Sequence, residues 1–200
     1  MTTGAFLLLA MALAAAVVDW IAVHHSNKAL EYVAKPLTMV LLIGATLALD
    51  PTDSAVRAWF IAALVLSLAG DVFLMLPKDL FVFGLGSFLL GHIAYVVGMH
   101  VDEISGGRFL VGLVIVVLAL VVIGSRILRG VRAGSDPKLA GPVVAYMCVI
   151  SAMVASAIGT GHITAIAGAT SFYVSDALIA WNRFIDETPH ARVAIMVTYH

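Results

Sequence analysis

The chain has 200 residues, of which 62% are hydrophobic and only 12% are charged, and its mean hydropathy is +1.07. This apolar fraction lies far above that of soluble domains, so composition excludes a soluble globule and predicts an integral membrane protein. The net charge of -1 argues against a nucleic-acid partner. Cys148 is the only cysteine, so an internal disulfide is excluded, and we expect it to be a core residue.

Apolar runs of spanning length follow one another along the chain and predict an all-α, polytopic membrane bundle of eight helices. Helices are expected because lipid offers no partner to an unpaired backbone group. The first seven predicted spans are Gly4–Val23, Lys35–Leu49, Ala58–Leu76, Phe81–Met99, Phe109–Gly124, Val143–Ile158 and Ile163–Ile185. The second is short, so we expect it to lie askew or to thin the membrane locally. Residues 1–200 are expected to form one membrane domain.

An eighth helix is predicted to begin near Ala191. The residues from His190 to His200 are too few to cross a bilayer at about 1.5 Å per residue, so we expect the sequence to stop inside this helix. The first run has no positive charge before it and is longer than a signal-peptide core, which favours a retained span.

Basic residues concentrate at the connections that follow predicted spans one, three, five and seven. They are Lys28, Lys35, Lys78, Arg126, Arg129, Arg132, Lys138, Arg183 and Arg192. Only Arg57 and Arg108 fall on the opposite side, whose connections carry the acidic residues Asp50, Asp53, Asp102 and Glu103. This asymmetry predicts a multi-pass protein of the cell membrane with odd-to-even connections in the cytoplasm and the N-terminus outside.

Three aspartates, Asp19, Asp71 and Asp176, lie inside the apolar spans. A carboxyl group at this depth costs several kcal/mol unless it is protonated, paired or facing a polar cavity, so each is a candidate functional residue. The predicted topology brings these acids to the cytoplasmic half of the membrane. The simplest explanation is one polar pocket that opens toward the inner leaflet, with His92 near mid-depth as its floor.

Two stripes of small residues predict close contact between helices. One follows the fourth span and one follows the seventh. They consist of Gly84, Ser87, Gly91 and Gly98, and of Gly168, Ser171, Ser175 and Asn182.

The order and spacing of several segments from Lys35 to Phe184 resemble the YhhN-type lysoplasmalogenase family. The segments are Lys35-Pro36-Leu37, the run from Gly70-Asp71 to Leu76, the run from Gly84 to Gly91-His92 and Tyr95, Pro142 with Tyr146, and Ser175-Asp176 followed by Arg183-Phe184. The resemblance implies an eight-span membrane hydrolase that cleaves the vinyl ether bond of lysoplasmalogen. The products would be a fatty aldehyde and a glycerophospho-alcohol.

Vinyl ether cleavage needs an acid that protonates the β-carbon and a negative group beside the oxocarbenium ion that forms. Two carboxyls in a dry pocket can supply both, as paired acids do in glycosidases. We therefore expect Asp71 and Asp176 to be the acid and the anion, in either order, and His92 or Tyr146 to place water or a second proton.

The expected substrate is a lysoplasmalogen or another lysophospholipid within the membrane lipids. Lys35 and Arg183 are expected to hold its phosphate. The other predicted substrate contacts are Asp19, Tyr95, Tyr146 and Ser175. We expect no cofactor and no metal, and the pattern makes no prediction of oligomeric state.

Three other classes of protein place acids or histidines in a membrane. A proton-coupled transporter could use the same aspartates as a relay, and it is the main alternative. An intramembrane aspartyl protease is disfavoured because Leu68 replaces the first glycine of a Gly-x-Gly-Asp signature. A zinc hydrolase is disfavoured because the histidines lie at different depths and no His-Glu-x-x-His occurs.

Overall fold

The computed structural model describes residues 2–50, 53–101, 103–186 and 188–200. Asp102, counted above among the acidic connections, lies outside these ranges. Within them the secondary structure is helical and no strand occurs. The α-helices are α1 (Thr3–His24), α2 (Lys28–Ala48), α3 (Ser54–Met75), α4 (Phe81–Met99), α5 (Gly106–Ala119), α6 (Ser125–Ala133), α7 (Ala140–Thr160), α8 (Ile163–Phe184) and α9 (Ala191–Tyr199).

Seven stretches of these ranges are long and apolar enough to cross a membrane: α1 to α4, the continuous helix Gly106–Ala133, Pro137–Thr160 and α8. The prediction of a polytopic helical membrane protein is therefore confirmed. Helix α9, at nine residues, occupies the position of the predicted eighth helix.

The chain divides into two compact units, Met1–Val101 with His200, and Asp102–Tyr199. In the first unit α1 packs on α2, α2 on α3, and α3 on α4. Side chains of Thr2, Asn27 and Asp53 accept hydrogen bonds from the first turns of α1, α2 and α3, so each helix begins at a capping residue. Single-domain organisation stays a prediction.

Helix α2 corrects the expected length of the second span. It begins at Lys28, capped by the Asn27 side chain, and runs for 21 residues. Glu31, Lys35 and Thr38 share its buried face. The span is therefore of ordinary length, and Lys35 lies about 10 Å inside the helix instead of at its start.

The glycine stripe on α4 packs against α3, as predicted. A Cβ atom at Gly91 would lie 3.2 Å from the carbonyl oxygen of Ala63, and the Phe88 ring already fills the space beside Gly70. A larger residue at Gly91 would push the two backbones apart by a few tenths of an ångström, and one at Gly70 would displace the Phe88 ring.

In the second unit α7 is the most buried of the candidate spans. It ends at Gly161, whose φ of 75° favours glycine. Arg108 donates from Nε to the carbonyl of Gly159 at 3.3 Å and from Nη2 to that of Thr160 at 3.4 Å. The guanidinium thus satisfies carbonyls that the helix end leaves without intrahelical partners.

A π-helical turn, Leu120–Gly124, joins α5 to α6 without a break in the helix. Buried residues continue on both sides of it, with Gly112 and Val116 before the turn and Ile127 and Val131 after it. The Oγ of Ser125 donates to the carbonyl of Val121 at 2.6 Å, within the wider turn.

Two predictions about packing in the second unit are wrong. In the predicted small-residue stripe of α8, Gly168 and Ser171 are exposed, and no atom lies within 4 Å of a Cβ placed on Gly168. Of the four stripe residues, only Ser175 is buried. Cys148 is exposed instead of lying in the core. Apolar lipid can solvate either position, so hydrophobicity alone did not mark them as buried.

Candidate active site

Lys35 and Asp71 form a buried ion pair between α2 and α3. The Nζ of Lys35 lies 2.8 Å from the Oδ1 of Asp71, and the side chains are 8% and 1% exposed. Removing either charge from water costs several kcal/mol, and the partner offsets that cost only at such short range. The structure thus brings together two predicted site residues whose relation the sequence left open.

Asp19 of α1 is fully buried in the same unit. Its Oδ2 lies 3.8 Å from the Nδ1 of His200, and the indole Nε1 of Trp20 donates to that same nitrogen at 3.2 Å. Sequence analysis missed His200 as a site residue. It follows α9 and lies 181 positions after Asp19, so no local pattern connects the two.

His92 and Tyr95 lie on α4, as predicted. His92 is fully buried near the middle of the helix. The Tyr95 ring meets the Phe60 ring edge to face, with centroids 5.2 Å apart. Tyr95 is therefore held by α3 through aromatic packing.

In the second unit the hydroxyl of Tyr146 on α7 donates to the Oδ2 of Asp176 on α8. Tyr146 is buried and Asp176 is half-buried. The preceding residue, Ser175, is fully buried and donates from Oγ to the carbonyl of Ile195 at 3.3 Å. Asp176 is thus held by the hydrogen bond from the Tyr146 phenol, and the residue before it, Ser175, is held by its bond to Ile195.

Arg183 lies exposed in the last turn of α8, with its guanidinium carbon 5.9 Å from the centroid of the Phe184 ring. It follows Asp176 by about two turns on the same helix, as predicted. A cation in this position also complements the negative end of the helix dipole.

The predicted site residues therefore form defined contacts within each unit. The first unit contains the Lys35–Asp71 ion pair and the Asp19, Trp20 and His200 group, and the second contains the Tyr146–Asp176 hydrogen bond. Pairing of Asp71 with Asp176 would join the two units and stays a prediction. Among the described residues, no three His, Cys, Asp or Glu side chains gather in a group that could hold a metal ion.

These contacts supply two chemical capabilities. An ion-paired carboxylate in a dry environment can stabilise positive charge that develops nearby. A carboxyl that is hydrogen-bonded by a phenol is oriented for proton exchange. Both are requirements of acid-catalysed cleavage through a cationic intermediate.

A sequence profile of the YhhN family matches residues 30–200. The human protein named lysoplasmalogenase TMEM86B is 33% identical over 138 residues, which cover 69% of this chain and 57% of the human protein. The Mycobacterium bovis protein named lysoplasmalogenase is 34% identical over 156 residues, covering 74% of this chain and 58% of the relative. TMEM86B from Sus scrofa is 30% identical over 138 residues, 69% of this chain and 57% of the relative.

The chain therefore spans less than two thirds of the length of these relatives. No solved structure matches it significantly.

Proposed function

Because the chain belongs to the YhhN family, we propose that it hydrolyses the vinyl ether bond of lysoplasmalogen within the membrane. The products are a fatty aldehyde and a glycerophospho-alcohol. The name lysoplasmalogenase carried by relatives at 33% and 34% identity supports this substrate. The observation that carries the proposal is the Lys35–Asp71 ion pair, buried between two helices of spanning length.

The reaction begins when an acid transfers a proton to the β-carbon of the vinyl ether. The carbon attached to oxygen becomes an oxocarbenium ion, which water captures while it gives one proton back to the conjugate base of the acid. The resulting hemiacetal loses one proton, and its bond to the glycerol oxygen breaks as that oxygen gains one. Water is the only co-reactant, so the protein needs to supply a proton donor, a proton acceptor and a negative group beside the cation.

Asp71 and Asp176 fill the roles of anion and acid. The ion pair with Lys35 supports Asp71 as the negative group that stabilises the oxocarbenium ion. The hydrogen bond from Tyr146 supports Asp176 as the group that exchanges protons. His92, fully buried on α4, remains the proposed group that places water.

In this proposal Arg183 binds the phosphate of the substrate, and Lys35, about 10 Å inside α2, is a second contact. The exposure of Arg183, at the C-terminal end of α8, supports this contact. Lys35 forms an ion pair with Asp71, so its ammonium group would contact the phosphate and the Asp71 carboxylate at the same time. Tyr95 remains a proposed substrate contact, whereas Ser175 is fully buried and bonds the carbonyl of Ile195.

Release of aldehyde tests the function directly. Purified full-length chain in detergent or liposomes is given lysoplasmalogen or the matching acyl lysophospholipid, and free fatty aldehyde is measured. We expect aldehyde from the vinyl ether substrate alone. Flux of substrate across sealed vesicles without any covalent product would contradict hydrolysis and indicate the transporter instead.

Single variants test the two carboxyls. Asp71→Asn and Asp176→Asn should each lower turnover by about 100-fold or more, in the range for loss of a general acid or a charge-stabilising group. Asp136→Asn, at an exposed acid in the second unit, is the matched control and should keep full activity. Full activity in either site variant would remove that residue from the chemistry.

The orientation belongs to the same proposal, with the N-terminus outside and the connection around Ser135 in the cytoplasm. A Ser135→Cys substitution in a Cys148→Ser background gives one exposed thiol between Arg132 and Lys138. An impermeant thiol reagent should label it only after the cells are permeabilised. Labelling of intact cells would reverse the orientation.

A further inference from the structure

Ser67 of α3 carries a buried hydroxyl that the hydrolytic mechanism above does not use. The residue is 1% exposed, and within the described ranges its Oγ has no hydrogen-bond partner. A buried hydroxyl without a partner costs free energy, and alanine would remove that cost. Alanine is accommodated one turn earlier on the same helix, at buried Ala63. Packing therefore does not explain the hydroxyl, which points to a partner outside the protein.

Other hydroxyls inside the helices are satisfied by the backbone. Thr38, Thr46 and Ser156 donate to the carbonyl four residues earlier, at 3.0, 2.9 and 2.8 Å. Serine and threonine side chains in helix interiors commonly make this bond. The Ser67 hydroxyl does not make it to Ala63, so both its proton and its lone pairs are available to a ligand.

Ser67 lies beside two residues of the proposed mechanism. Asp71 follows it by one turn, so the two side chains share the buried face of α3, with Cβ atoms about 5–6 Å apart. On the facing helix, a Cβ atom at Gly91 would lie 3.4 Å from the Ser67 Oγ, and His92 is the next residue. The hydroxyl therefore adjoins the anion of the Lys35–Asp71 pair and the segment of α4 that carries His92.

The placement of water decides the product that a vinyl ether lyso lipid gives. After protonation of the β-carbon, the cationic carbon can bond to water or to the free hydroxyl that the lipid carries one carbon away from its ether oxygen. Water loses one proton to the conjugate base of the acid and forms the hemiacetal, which releases aldehyde. The lipid hydroxyl loses its proton to the same base and closes a cyclic acetal, which is an isomer of the substrate. Because that hydroxyl is always near the cation, release of aldehyde requires water that is already held there.

We propose that the Ser67 hydroxyl binds the water molecule that captures the oxocarbenium ion, as a second contact beside His92. The inference rests on the proposed function. Ser67 lies about 12 Å before the end of α3 at Met75, within a helix of spanning length, where bulk water is absent. When the Oγ accepts a proton from the bound water, a lone pair of the water oxygen is left to attack the cation. Ser67 thereby favours water over the lipid hydroxyl.

The test measures how the cation is divided between the two products. The purified full-length chain is given vinyl ether lysophosphatidylethanolamine, and proton NMR follows the loss of the vinyl signal and the appearance of aldehyde and cyclic acetal. The wild-type chain should give aldehyde as the main product. Ser67→Ala should raise the ratio of cyclic acetal to aldehyde by about 10-fold, the effect of losing one hydrogen bond, and leave KM unchanged.

Two further variants separate the hydroxyl from the space that it fills. Ser67→Thr keeps the hydroxyl and should give a product ratio near that of the wild type. Ser67→Cys is also larger than serine, but its thiol is a weak donor and acceptor, so it should resemble Ser67→Ala. Ser156→Ala is the matched control because Ser156 is also 1% exposed but donates to the Ala152 carbonyl. The control should leave both the product ratio and the rate unchanged.

Each outcome decides the inference. An unchanged product ratio in Ser67→Ala, or in Ser67→Cys if the alanine variant fails to fold, overturns the role of Ser67 while the hydrolase function stands. A rise in KM with an unchanged ratio would assign the hydroxyl to the lipid and overturn water binding. Equal ratios in Ser67→Thr and Ser67→Cys would show that the space, and not the hydroxyl, sets the product. Absence of both products from the wild-type chain overturns the proposed function and this inference together.

Discussion

The two units hold a membrane aspartate in different ways. In the first unit Asp71 is 1% exposed and contacts a cation, Lys35, at 2.8 Å. In the second unit Asp176 is half-buried and accepts a hydrogen bond from a neutral phenol, that of Tyr146. A buried cation fixes the charge of its partner, whereas a neutral donor is compatible with either protonation state of the carboxyl.

The packing around the two aspartates also differs. Helix α3 meets α4 at glycines whose Cβ positions are occupied by neighbouring atoms, while α8 leaves Gly168 without a neighbour within 4 Å. The charge pair thus lies beside closely packed helices, whereas α8 is open around Gly168 and is closely approached at its end, where Gly130 lies against the Phe184 carbonyl. Closer packing therefore accompanies the Lys35–Asp71 pair, whereas Asp176 lies on α8, the candidate span with the smallest buried share.

The largest expected effect comes from removing the cation. Lys35→Met leaves the Asp71 charge buried without its ion-pair partner, so the chain should lose about 3–5 kcal/mol of stability and its aldehyde release. Thermal unfolding in detergent measures the first effect. Lys78→Met, at an exposed lysine of the first unit, is the control. If the double variant Lys35→Met/Asp71→Leu is no more stable than Lys35→Met, the charge pair does not explain the loss.

Removal of the phenol should have a smaller effect and act mainly on catalysis. Tyr146→Phe deletes the donor to Asp176 and should lower kcat by about 10- to 100-fold, at the lower end of losses for disturbed acid catalysis. Stability should fall by only about 1 kcal/mol, the usual net value of one hydrogen bond. A stability loss as large as that of Lys35→Met would contradict the distinction between the two aspartates.

Glycine substitutions test whether α3 and α4 are more closely packed than the middle of α8. Gly91→Ala places a methyl group 3.2 Å from the Ala63 carbonyl oxygen and should cost about 1–2 kcal/mol. Gly168→Ala meets nothing within 4 Å and should be neutral or stabilise the helix by up to about 1 kcal/mol. Equal shifts in the unfolding temperature of the two variants would show that α3 and α4 are no more closely packed than α8.

The smallest expected effect is at the end of α7. Arg108→Gln removes the guanidinium that bonds the Gly159 and Thr160 carbonyls, and should cost about 1 kcal/mol or less because the site is largely exposed. Aldehyde release should be unchanged. A loss of activity comparable to that of Tyr146→Phe would place this turn in the reaction.

Much of the fold follows from hydropathy, because an apolar run in lipid has few alternatives to a helix. The start of α2 was misplaced since Lys28, Glu31 and Lys35 interrupt the apolar pattern. The capping residue Asn27 was the signal that could have corrected it. A hydropathy pattern locates the lipid-facing part of a helix, but it is insensitive to a polar face that is buried within the protein.

Candidate site residues are visible in the sequence where an ionisable group stands out in an apolar run, as Asp71 and Asp176 do. His200 could not be found this way because its surroundings in sequence are ordinary and its contacts are made with α1. The prediction of close packing at Gly168 was wrong because a stripe of small residues permits a neighbouring helix but does not require one.

The π-helical turn at Leu120–Gly124 has a consequence for chain length. From Gly112 to Val131 the chain advances 19 positions, whereas five regular turns need roughly 18. The wide turn absorbs the surplus residue, so that the flanking helices keep their inward sides in phase. Insertions and deletions of one residue are therefore more readily accommodated here than elsewhere in the span, and a shortened chain would regain a regular helix without rotating Ile127 and Val131 toward lipid.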